Sequence, residues 1–180
     1  ERIFASKELI SIVHNLLGKR VIIESFGVVF SLPGAKKQQL HRDGSILFDD
    51  VSVKGNASIA GLIPPYALTV GIPLIDMNEE TGTTQIGARS HRYIEADQKI
   101  LIKPNVDKGS IILWDFRTLH CGGRNKSNLL RPMLYITYSR DWWRDSDNYE
   151  KLNQRRVNIN SKFLSGIQPK FRSLFKYCYQ

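Results

Sequence analysis

GSIILWDFRTLHCGGRNKSNLLRPMLYITYSR, residues 109–140, holds two apolar, β-branched and aromatic runs separated by a loop rich in Gly, Asn and Ser. SIILWDF has the composition of a buried strand and stops just before His120. The loop CGGRNKSN leads to Arg131, which opens the second run, RPMLYITYS. Alternation along a strand places Arg131, Met133, Tyr135 and Thr137 on one face. An arginine facing a core is costly unless an anion pairs with it, and its planar fork takes a carboxylate through two parallel hydrogen bonds.

Working outward, further short β-rich runs precede this stretch: RVIIESFGVVFSL, QQLHRD, ALTVGIPLIDM and KILIKP, punctuated by Gly, Pro, Asn and Asp. So many strands with little helical periodicity between them predict an all-β sandwich or barrel core. SKELISIVHNLLGKR, near the start, predicts an amphipathic helix with Ser6 as its cap, Gly18 at its end and a stripe of Leu9, Val13, Leu16 and Leu17. His14 falls inside it as a surface or boundary residue. After Arg140 the pattern is less periodic and some helix is expected. The expected organisation is one domain: an N-terminal helix over 1–20, a β core over 21–140 and a basic C-terminal extension over 141–180.

The 180 residues suffice for a real core, and no apolar run approaches the length of a membrane helix. GLIPPYALTVGIPLI comes nearest and carries three prolines. ERIFASKELI lacks the pattern of a signal peptide, and with only Cys121 and Cys178 the expectation is a cytoplasmic protein with reduced thiols. The chain opens without Met, so an N-terminal segment is expected to precede Glu1. The formal charge is +9, yet Lys151–Gln180 holds seven cations and no acid, leaving 19 cations against 17 acids in residues 1–150. A basic tail can touch an anionic partner, but no nucleic-acid motif accompanies it, and a solvated face is the favoured reading.

QQLHRDG, residues 38–44, supplies the second half of a candidate site. Two residues apart on a strand, His41 and Asp43 point the same way, close enough for a ring nitrogen and a carboxylate oxygen to hold one cation. Asp43–Gly44 looks like a strand end, where a substrate can arrive. H-x-D alone is a weak motif, and an edge histidine beside a turn-capping aspartate accounts for it equally well. With His120 and Arg131 the set becomes two imidazoles, one carboxylate and a guanidinium awaiting an acid. Two imidazoles and a carboxylate leave half an octahedron open, as non-haem Fe(II) oxygenases require; zinc hydrolases use similar ligands, though H-E-x-x-H is absent here.

QQLHRDG, LIDMNEETGTTQIGARSHR and KGSIILWDFRTLHCGGRNKSNLLRPMLYITYS together resemble the phytanoyl-CoA dioxygenase family of Fe(II)/2-oxoglutarate oxygenases, from about Val21 to Arg140. The resemblance implies a mainly β fold: a double-stranded β-helix (jelly-roll, cupin-like) core with flanking helices. It implies iron held by His41, Asp43 and His120, with Arg131 clamping the distal carboxylate of 2-oxoglutarate. Gln39, before H-x-D, and Thr84, in the family's N-G-A-T segment, are implied to hydrogen-bond the cosubstrate. The activity implied is O2-dependent hydroxylation, or another oxidation such as desaturation, of a small molecule, with release of succinate and CO2. Related halogenases replace the carboxylate ligand by a small residue, and Asp43 fills that position here. Two departures stand out: Ala88–Arg89 replaces the turn-forming pair of P-G-S-H, and Thr81 replaces the Asn of N-G-A-T. His91, the histidine of that S-H, is read as structural.

Tyr66, Trp114, Phe116, Tyr135, Trp142 and Trp143 are the aromatic candidates near the site, of which Trp114, Tyr135 and Trp142 are carried as substrate-contacting residues. Trp142–Trp143 is of particular interest, because adjacent residues on a strand cannot both face one core. The expected partner is a small molecule, anionic or neutral, not a membrane or a nucleic acid. Two other classes remain open: a non-catalytic β-barrel module binding an anionic partner through the basic tail, and a cupin-like metal-dependent isomerase or hydrolase.

Overall fold

The computed structural model describes residues 3–48, 61–93, 101–146, 148 and 157–178. Its elements are α1 (Lys7–Leu17), β1 (Val21–Ser31), β2 (Ala67–Pro73), β3 (Thr84–Ile86), β4 (Ile112–Asp115), β5 (His120–Gly122), β6 (Arg131–Arg140) and α2 (Ser161–Ser165). A 3-10 turn spans Ser90–Arg92 and a longer 3-10 segment spans Pro169–Phe175. The fold is mainly β. One antiparallel sheet runs in the order β1-β6-β2-β4, and a smaller one pairs β3 with β5.

α1 forms where the amphipathic pattern places it. Ser6 Oγ accepts the Leu9 N–H at 3.2 Å, and Gly18 closes the helix with φ 86°. Leu9, Val13 and Leu17 are buried, whereas Leu16, at the margin of the stripe, is 40% exposed. The buried side packs on Leu68, Val70, Ile136 and Tyr138 of the large sheet, together with Ile167, Leu174, Phe175 and Cys178 from the C-terminal region. Each such side chain taken fully from water contributes about 1.5–3 kcal/mol. The 141–180 region thus contributes to the same core as α1. Both cysteines are free and buried.

The opposite face of the large sheet is the one that matters for chemistry. In register, Thr69 lies between Trp114 and Thr137, and Gly71 lies beside Tyr135. Alternation along β6 therefore puts Arg131, Met133, Tyr135 and Thr137 on this face, as the sequence predicts.

Two predicted strands are corrected. QQLHRD forms no strand, only an isolated antiparallel bridge from His41 to His120. The reason is a substituted rung: the Gly122 N–H is taken by the Gln38 side-chain oxygen at 2.6 Å, so the backbone ladder does not continue. KILIKP likewise contributes a single bridge, Ile102 to Ile86, and Lys99–Ile100 lie outside the described residues. Helix after Arg140 is met by α2 and the 3-10 segment; residues 147 and 149–156 lie outside the described residues. Among the described residues no helix is long and apolar enough to cross a membrane.

Candidate metal centre and the polar atoms behind it

His41 and His120 are brought together by the backbone. Each donates its N–H to the other's carbonyl, at 3.0 and 2.8 Å, so the side chains stand side by side with ring centroids 4.5 Å apart. His41 Nδ1 lies 2.8 Å from the Gln39 carbonyl, and His120 Nδ1 lies 3.0 Å from that of Thr118. A carbonyl only accepts, so each neutral ring carries its proton on Nδ1 and offers a lone pair at Nε2. Both Nε2 atoms face Asp43 Oδ1, at 3.9 and 3.5 Å. One ligand atom from each of the three residues lies within 4.8 Å of the other two, and among the described residues no other such group occurs.

Asp43 is itself held. Its Oδ2 accepts a hydrogen bond from Thr69 Oγ1 at 2.9 Å, and its carbonyl accepts one from Asn148 Nδ2 at 2.7 Å. Thr69 thereby occupies one carboxylate oxygen and turns the other towards the imidazoles. The His120 side chain is buried, which lowers its pKa despite the nearby Asp43 charge. The His41 side chain is 42% exposed, so the centre opens to solvent on that side.

Behind the centre lies a group of unpartnered polar atoms. Arg131 is 7% exposed; its Nη1 touches Met77 Sδ at 3.4 Å, and its Nε has no partner. Thr84 Oγ1 and Trp114 Nε1 are also buried without a well-formed hydrogen bond. Burial lowers the Arg131 pKa, with Tyr135 opposing. The Tyr135 phenol is pushed up to about 12 by burial and the Asp43 charge, while Arg131 and the Thr84 hydroxyl pull the other way. It therefore stays protonated near neutrality and stands within electrostatic reach of both the carboxylate and the guanidinium. Trp114 links the two regions, its ring 5.1 Å from His120 and 5.9 Å from Tyr135. Three buried polar groups without partners, one of them a cation, are what a bound acid with several oxygens would satisfy.

The family model of phytanoyl-CoA dioxygenase (PhyH) matches residues 1–133. The chain belongs to the phytanoyl-CoA dioxygenase family. Solved structures of similar fold include the non-heme monooxygenase ThoJ in its nickel complex, at 20% identity and TM-score 0.59, covering 77% of this chain and 52% of that one. The epimerase SnoN of nogalamycin biosynthesis, described as non-heme and alpha-ketoglutarate dependent, aligns at 17% identity and TM-score 0.61 over 85% of this chain and 61% of its own. HygX from Streptomyces hygroscopicus, solved with nickel, 2-oxoglutarate and hygromycin B bound, aligns at 15% and 0.62 over 79% and 65%. The chain thus spans between about half and two thirds of the length of these three structures.

The family's two departures prove locally satisfied. Thr81 takes the Asn position with its Oγ1 donating to the Asp76 carbonyl at 2.9 Å, while Asn78 Oδ1 accepts the Glu80 and Thr81 N–H groups. Gly82 next to it is required: φ is 80°, and a Cβ would come 2.6 Å from the Arg124 carbonyl oxygen. In A-R-S-H, Arg89 adopts φ 62°, the left-handed conformation a glycine takes freely. Ser90 Oγ then accepts the Leu119 N–H at 2.8 Å and donates to Gly87, anchoring the chain one residue before His120. His91 lies outside the three-residue cluster.

Two sequence candidates sit elsewhere. Gln39 is exposed, and its carbonyl lies against His41 Nδ1; the neighbouring Gln38, also exposed, accepts the Gly122 N–H through its side-chain oxygen. Trp142 is 65% exposed, because β6 ends at Arg140 and strand alternation no longer applies; Trp143 packs on Tyr66 and Phe116. Thr69 and Gln38 were not singled out from the sequence. For Thr69 a signal existed, since it is the one polar side chain in ALTVGIP.

Proposed function

We propose that this chain forms the core of an Fe(II)- and 2-oxoglutarate-dependent oxygenase on a double-stranded β-helix, and that it oxidises a small molecule. The carrying observation is the pair of features on one face: three converging ligand atoms, and behind them a buried guanidinium with no carboxylate partner among the described residues. The donor set, two imidazole nitrogens and one carboxylate oxygen, suits ferrous iron and leaves positions for cosubstrate and O2. His41, Asp43 and His120 would hold the metal. Arg131, with the Thr84 hydroxyl, would bind the distal carboxylate of 2-oxoglutarate; Gln39, being exposed, is not included.

Bound together, the metal and 2-oxoglutarate supply O2-dependent oxidation with release of succinate and CO2. The protein's own part is to fix both imidazole tautomers through backbone carbonyls, to hold Asp43 through Thr69, and to keep water from Arg131 with Met77, Trp114 and Tyr135. Substrate would arrive from the exposed His41 side, with buried Trp114 and half-buried Tyr135 as the aromatic wall. Hydroxylation is favoured over halogenation because Asp43 fills the ligand position. The test is succinate formation from 2-oxoglutarate by the Fe(II)-loaded chain in air. Succinate that requires O2 and is lost in His120→Ala supports the reading; turnover of a substrate with neither O2 nor 2-oxoglutarate would assign an isomerase or hydrolase instead.

A further inference from the structure

The small sheet has a second face, away from the metal centre. Thr84 pairs with Gly122 and Ile86 with His120, so alternation turns the intervening pair, Gln85 and Cys121, to the other side. A hollow of about 390 Å³ lies there, lined by Lys37, Lys103, Arg124 and Lys126, with one carboxylate, Glu79, and the Gln85 amide. Lys126 Nζ and Glu79 satisfy each other at 2.8 Å. Among the described residues Lys37, Lys103 and Arg124 form no ion pair. The hollow therefore concentrates three unmatched cations, although residues 1–150 as a whole carry 19 cations against 17 acids. General basicity does not account for this, because the chain's excess charge resides in its C-terminal thirty residues.

Like charges around a concavity repel one another and focus a positive potential into it, a cost that a bound anion relieves. A half-open hollow without an aromatic lining residue suits a compact anion, not a nucleic-acid strand, which needs a track and stacking platforms. Three cations and an amide donor match a multi-oxygen dianion better than a single carboxylate.

We propose that this hollow, on the opposite face of β5 from the metal ligands, is a binding site for a phosphate-type dianion, either the free ion or a phosphoryl group on a small molecule. The proposal is independent of the oxygenase reading. It is tested by isothermal titration of the full chain with inorganic phosphate, and separately with glycerol phosphate, at low and constant ionic strength. Saturable binding at one site per chain is expected, weakened at least tenfold in Lys103→Gln/Arg124→Gln, whose side chains are exposed and whose melting curve checks folding. Arg131→Met and Lys162→Gln should bind as the parent does. Tighter binding of glycerol phosphate identifies a phosphorylated molecule as the ligand, and equal binding identifies the free ion; both support the site. No saturable binding, binding indifferent to the double substitution, or equal loss in Lys162→Gln would overturn it.

Discussion

Replacing Arg131 with Met separates a ligand-binding arginine from a structural one, because the two roles predict opposite signs. Arg131 is 7% exposed, its Nε is unpartnered and its Nη1 reaches only a thioether. Leaving one buried donor unsatisfied costs about 1–3 kcal/mol, and a buried charge without its counter-ion adds to that. Met fills similar volume without charge, so the ligand-free variant should be more stable by about 2 kcal/mol. For a chain of this size that is roughly 4–8 °C in Tm. Saturating 2-oxoglutarate reverses the order. At a hundred times its Kd a ligand stabilises the parent by about 2.7 kcal/mol. The variant, having lost a buried charge pairing worth about 2–5 kcal/mol, gains almost nothing. Calorimetry of both proteins with Ni(II) present, with and without 2-oxoglutarate, reads this crossing. A variant that melts lower without 2-oxoglutarate, or that is stabilised by it as the parent is, would show that Arg131 serves the fold and not an acid.

Thr69→Val should leave the fold standing while weakening Ni(II) binding about tenfold, since Asp43 loses the hydrogen bond that orients it; Thr69→Ser should restore affinity, and equal loss in both variants would deny the hydroxyl its role. Arg89→Gly should raise stability by about 0.5–1 kcal/mol by relieving a left-handed residue, whereas Arg89→Ala, which keeps φ 62°, should not. Urea melts of the three proteins check this, and a Gly variant no more stable than the Ala variant would contradict it.

The parts of the molecule legible in the sequence were those with a long period or a fixed chemical pattern. β6 runs for ten residues, long enough for alternation to put Arg131 and Tyr135 on one face correctly. α1 carried both its caps in the sequence. The convergence of His41, Asp43 and His120 is legible in the sequence, but by a route the structure alters: His41 meets His120 through an isolated bridge, not along a strand. β3 and β5 are three residues each, too short for any periodic signal, and β5 contains a glycine. The resemblance assigns Gln39 by its place before H-x-D; in the structure that residue is exposed, and the Gln38 side-chain oxygen interrupts the ladder at Gly122. Trp142 failed as a strand residue because β6 stops two positions earlier. Thr69 could have been read as a polar residue facing the site, but its partner lies 26 residues away in the chain, and only the folded register brings it to Asp43.

His41, Asp43, His120 and the Arg131 guanidinium are proposed to act as one site. Anaerobic titration of the chain with Fe(II), followed by 2-oxoglutarate, tests this directly through the weak visible charge-transfer absorption of a ferrous keto-acid chelate. The account predicts one iron per chain, a band that grows only when 2-oxoglutarate is added, no band in His120→Ala, and a band requiring far more 2-oxoglutarate in Arg131→Met. Absence of the band in the parent chain, or a band indifferent to either substitution, would contradict it.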